Sequence, residues 1–81
     1  MLNMQVKTKL PPDEVVGRAK RFFGQGGLGL NLTEESLGCV TFEGGGGYVT
    51  ATVCVDEDKT RVDLLTQEWD YPVKQFASSL A

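Results

Sequence analysis

The sequence predicts a two-layer α+β domain of order β-α-β-β-β-β-α, in which a five-stranded curved antiparallel sheet carries two helices on one face. Three observations predict it. Five short runs alternate apolar and polar residues, two runs repeat apolar residues at spacings of three and four, and Pro, Gly or acidic residues punctuate the joins between them. With 81 residues the chain is a single domain spanning residues 1–81, and so small a core supplies only about 3 to 5 kcal/mol.

The first strand is expected at about residues 4 to 10, with Met4, Val6, Thr8 and Leu10 on one face. Pro11-Pro12 stops it and suits the first turn of a helix, where Asp13 and Glu14 complement the helix dipole. In that helix, of about 12 residues, Val15, Val16, Ala19, Phe22 and Phe23 make the apolar side, and Gly17 weakens the interior by about 1 kcal/mol. Gly24-Gln25-Gly26-Gly27 ends it, and Leu28 to Thr33 reads as the second strand. Glu34-Glu35-Ser36 is expected to turn the chain into a third strand from Leu37 to Glu43.

The four glycines Gly44 to Gly47 are expected to form the next loop, leading to a fourth strand from Tyr48 to Val55 with Val49, Ala51, Val53 and Val55 inward. Asp56 to Lys59 turns it into a fifth strand, about Thr60 to Gln67, with Val62 and Leu64 inward. These loops bring Phe42 opposite Val49, Val40 opposite Ala51, Ala51 opposite Leu64 and Val53 opposite Val62, so one buried face runs across three strands. Asp70 is expected to cap a last helix whose apolar stripe is Val73, Phe76, Ala77 and Leu80.

Composition excludes more than it assigns. The chain has no histidine, which removes the commonest general base, the usual partner of a Ser or Cys nucleophile and the commonest zinc ligand. Cys39 and Cys54 form no CxxC pair and lie diagonally on the open sheet face, so both are expected as free thiols. Eleven acids against 8 bases give a net charge of -3, which argues against phosphate-backbone recognition; only Lys7, Lys9 and Arg61 could form a basic strip. No apolar run approaches a membrane span, and no basic leader precedes an apolar segment, so a cytoplasmic location is expected.

Local motifs reduce to structure. Gly24 to Gly29 spells G-x-G-x-x-G, but after a helix and before a strand, the reverse of the dinucleotide-binding context. No helix follows Gly44 to Gly47 to add a dipole to an anion cradle, and Asp56, Glu57 and Asp58 lack the Gly and distal Glu of a calcium loop. Glu34 and Glu35 adjoin and point apart, while Ser78 and Ser79 lack a base, so no catalytic residue, cofactor or metal site is expected.

The element order resembles the TATA-box-binding-protein-like fold and, within it, the helix-grip architecture of START and polyketide-cyclase-type, SRPBCC-like proteins. Leu10-Pro11-Pro12-Asp13-Glu14-Val15 is similar to their strand-to-helix entry, and Glu68-Trp69-Asp70 leading to Val73 and Phe76 is similar to the last strand feeding their closing helix. The resemblance spans the whole chain in a minimal form. It implies either a sheet face that binds a partner or an apolar pocket between helices and sheet.

Two functional expectations follow. The first is a non-enzymatic interaction module, a homodimer that self-associates through its open sheet face or a sheet edge, with Tyr48, Thr50, Thr52, Leu65 and Trp69 as the outer contact set. The second is a small carrier that holds an apolar ligand among Val16, Phe23, Leu30, Phe42, Val49 and Phe76.

Overall fold

The computed structural model describes residues 1–80. Its elements are β1 (Leu2–Thr8), α1 (Pro12–Phe23), β2 (Asn31–Ser36), β3 (Cys39–Gly44), β4 (Gly47–Asp56), β5 (Lys59–Gln67) and α2 (Asp70–Leu80). The strands form one open antiparallel sheet in the order β1-β5-β4-β3-β2, and both helices lie on the same face, α1 over β4 and α2 over β1 and β5. The two-layer α+β class and the strand-helix-strand layout are those read from the sequence.

The inner rows of the sheet explain the core. Met4, Leu64, Ala51 and Val40 stand side by side across four strands, as do Val6, Val62 and Val53, and Thr66, Val49 and Phe42. Onto them α1 sets Val15, Ala19 and Phe23, and α2 sets Val73, Phe76, Ala77 and Leu80, all buried. Three threonines share this inner face without leaving a hydroxyl unsatisfied. Thr8 Oγ1 donates to the Leu80 carbonyl at 2.6 Å and accepts from the Leu10 N–H; Thr60 donates to the Leu10 carbonyl at 2.6 Å, and Thr66 to the Tyr48 carbonyl at 2.7 Å. A buried hydroxyl that donates to a backbone carbonyl offsets its desolvation cost.

All four expected cross-strand pairs occur, Phe42 with Val49, Val40 with Ala51, Ala51 with Leu64 and Val53 with Val62. The loop around the first pair is tighter than expected. Gly44 pairs with Gly47, leaving a two-residue turn in which Gly45 (φ 59) and Gly46 (φ 83) are both left-handed, the backbone that a primed hairpin turn demands. Shortening a loop by one residue at each end, which adds a single pair, leaves the register untouched. The next hairpin closes in the same way, Asp56 with Lys59 around Glu57, which takes φ 59.

The second strand and its turn are displaced from the sequence reading. The glycine segment after α1 is used in ending the helix: Leu28 N–H donates to the Phe22 carbonyl, Gly29 N–H to Gly24, and Leu30 N–H to Phe23. Backbone groups committed to the helix end cannot join a ladder, so β2 begins at Asn31 and includes Glu34, Glu35 and Ser36. The turn falls instead at Leu37-Gly38, where Gly38 takes φ 79 and Leu37 stands fully in solvent. Other boundaries differ too. Leu10 lies beyond β1, and Val55, expected inward, is 69% exposed at the end of β4. Asp70 is the first residue of α2 rather than its cap: the Trp69 carbonyl accepts from Val73 N–H at 3.0 Å, so Trp69 holds the flanking position. No helix among the described residues is long and apolar enough to cross a membrane.

Candidate interaction surface

The six residues expected to line an apolar pocket divide. Phe23, Leu30, Phe42, Val49 and Phe76 are all 2% exposed or less, and the rings are one another's neighbours. The Phe23 centroid lies 5.6 Å from Phe42 and 5.2 Å from Phe76, and Phe22 extends the cluster at 5.6 Å from Phe76. At such separations aromatic rings are in contact, so these side chains build a core. Val16 packs against the rim of this core and is only half-buried, so it also lines an open groove between α1 and the β2–β3 hairpin.

The open sheet face is polar and internally bonded. One row across it reads Gln5, Asp63, Thr52, Cys39 and Ser36, and the next Asn3, Leu65, Thr50, Thr41 and Glu34. Gln5 donates to Asp63 at 2.9 Å, Thr41 and Thr50 share a 3.1 Å hydroxyl contact, and Arg61 pairs with Asp63 at 3.4 Å. Tyr48, Thr50, Thr52 and Leu65 all lie half-buried on this face, as expected. Trp69 does not join them: it packs against the core, and its indole N–H donates to the Gly44 carbonyl at 2.9 Å. Cys39 faces Thr52, two positions along β4 from Cys54, and both thiols are free. No cluster of three or more metal-ligating side chains occurs among the described residues.

The two edges of the sheet differ in kind. The outer edge of β2 is exposed at all six residues, carries Glu34 and Glu35, and is broken by a bulge between Leu32 and Glu34. Charge and a bulge are the devices by which proteins blunt an edge against pairing. At the opposite edge β1 has no bulge and fewer charges. It pairs with β5 over seven consecutive residues without a register shift, contains no proline, and carries one charge, Lys7. Its inward residues Leu2, Met4 and Val6 are only partly covered by the helix layer.

Sequence reasoning found the open face but not the asymmetry of the edges. The alternation of Met4, Val6 and Thr8 gave the inward face of β1, though the strand runs Leu2–Thr8 and not from 4 to 10; only the strand order β1-β5-β4-β3-β2 reveals that β1 and β2 are the unpaired ones. No protein-family model matches the chain, and no curated protein does.

Proposed function

We propose that this chain is a small interaction module that self-associates by pairing β1 with β1 of a second copy. The observation that carries this reading is the contrast between edges: β2 is charged and bulged, whereas β1 is regular, carries Lys7 as its one charge and has Leu2, Met4 and Val6 half-covered on its inner side. An unpaired strand presents a row of backbone donors and acceptors, and a two-fold axis lets the same strand satisfy both copies. The joined sheet would have ten strands. Leu2, Met4 and Val6 of each copy would meet on the helix side, completing a core that one small chain covers only in part.

The element order and the course of α2 along β1 and β5 support the helix-grip resemblance, with the sheet edge taking the place of an internal ligand site. Absence of histidine from the sequence supports a non-enzymatic role, and two free thiols suit a reducing compartment such as the cytoplasm. Hydrogen exchange at several protein concentrations tests the reading. Protection of the Leu2–Thr8 amides should rise with concentration while β2 amides stay unchanged; concentration-independent exchange along β1 contradicts it.

A further inference from the structure

A second surface, on the other side of the helix layer, carries its own pattern. Two helices span the inner face over β1, β5 and β4, but β2, at the far edge, is reached from α1 by the Lys20–Glu35 ion pair across a groove, and its inner residue Leu32 is 43% exposed. The groove beside α1 is lined by Pro12, Asp13, Val16, Gly17 and Lys20 from the helix, with Glu35, Ser36, Leu37 and Gly38 on the hairpin side. Leu37 is 106% exposed, the most exposed large apolar side chain among the described residues.

Gly17 is the informative residue. A glycine inside a helix is destabilising, and a protein keeps one where something must come close to the backbone. Nothing in this chain does. A Cβ at Gly17 would meet only the tip of the Arg21 side chain, at 3.6 Å. The notch therefore has no intramolecular purpose, and it opens onto an apolar groove.

The charges around it identify the occupant. Asp13, Val16, Gly17 and Lys20 follow one another at the spacing of a single helix face. Asp13 and Lys20 are placed symmetrically about Val16 and Gly17. An antiparallel copy of the same helix, centred there, brings each Asp13 opposite the other's Lys20 and each Val16 into the other's Gly17 notch. Asp13 has no cation partner among the described residues, and Lys20, bonded to Glu35, has further ammonium hydrogens to offer. We infer that this face binds a second copy of the chain through antiparallel α1–α1 packing. It is an isologous interface separate from the β1 edge, with Leu37 covered as the second copy fills the space over β2.

Two distinct two-fold interfaces on one chain build assemblies larger than a dimer. Sedimentation equilibrium of the native chain, Gly17→Leu, Met4→Lys and the double variant tests this and separates it from the β1 reading. Gly17→Leu fills the notch, where a Cβ meets only the movable tip of Arg21 at ordinary contact distance, so its thermal midpoint should rise while its association weakens by about tenfold or more. The Met4→Lys chain should still associate, and adding Gly17→Leu should reduce it to monomer. If Gly17→Leu leaves association unchanged in both backgrounds, the α1 interface is refuted, whatever Met4→Lys does. If Met4→Lys alone has no effect while Gly17→Leu dissociates the chain, the α1 interface stands and the β1 reading fails.

Discussion

The indole Nε1 of Trp69 donates to the carbonyl of Gly44 at 2.9 Å, which ties the start of α2 to the β3–β4 hairpin. The contact depends on the next residue as well. A Cβ on Gly45 would come within 2.8 Å of the Trp69 ring, so the hairpin turn and the indole fit only because Gly45 has no side chain.

Substitutions in that turn should therefore be unequal. Gly45 and Gly46 both hold positive φ, so alanine at either costs about 1 kcal/mol. Gly46 has nothing within 4 Å, whereas Gly45 meets the indole. Urea unfolding should rank Gly45→Ala clearly below Gly46→Ala, and equal losses would remove the Trp69 contact from the account.

Trp69→Phe keeps one aromatic ring but removes the donor along with part of the indole's packing. The expected loss is about 1 kcal/mol, or roughly 4 to 8 °C in thermal midpoint for a domain of this size. A midpoint unchanged within 1 °C or so would show that water replaces the bond at no cost.

Thr66 tests the inner face. It is fully buried, between Leu2 and Val49, and donates to the Tyr48 carbonyl at 2.7 Å. Thr66→Val preserves shape and leaves that donor missing, which should cost about 1 kcal/mol in chemical denaturation. A gain in stability would mean that the apolar neighbours outweigh the hydrogen bond.

Phe23 is the centre of the core, touching Phe22, Phe42 and Phe76. Phe23→Ala removes about 3 to 5 kcal/mol, as much as a core of this size provides, so its far-ultraviolet dichroism should show an unfolded chain. Phe23→Leu, losing about 1 kcal/mol, should stay folded with a lower midpoint.

How much of this was legible depended on where backbone hydrogen bonds went. Period-two runs such as Val49, Ala51 and Val53 declared both strand and face, and the register followed because each turn had to keep Phe42 and Leu64 on the same side. The β2 boundary was not legible. Leu28-Gly29-Leu30 alternates like a strand, but its amides are spent on the end of α1, a commitment that side-chain pattern does not record. Trp69 misled for a related reason, since a large residue beside the open face also lay within reach of a glycine turn that admits its ring. The edges and the Gly17 groove required strand order and the position of α1, both long-range properties.

The two cysteines should remain separate under oxidation. Cys39 opposite Thr52 and Cys54 two residues farther on β4 form a diagonal pair, at a Cα separation of about 7 to 8 Å that a disulfide does not span. Native thiol titration should count two reactive groups, and mild oxidation should yield no monomer lighter by two hydrogens. Finding that species would require a shift in the β3–β4 ladder.

Self-association through β1 is the central claim, and sedimentation equilibrium of the native chain beside Met4→Lys tests it most directly. Met4 is half-buried at the free edge, where a lysine stem can reach solvent in a single copy but places like charges together when two edges pair. The native chain should be dimeric or larger at micromolar concentration, and Met4→Lys, folded by circular dichroism, should associate about tenfold or more weakly. A native chain that stays monomeric into the high micromolar range, or a Met4→Lys chain that associates as the native one does, would contradict it.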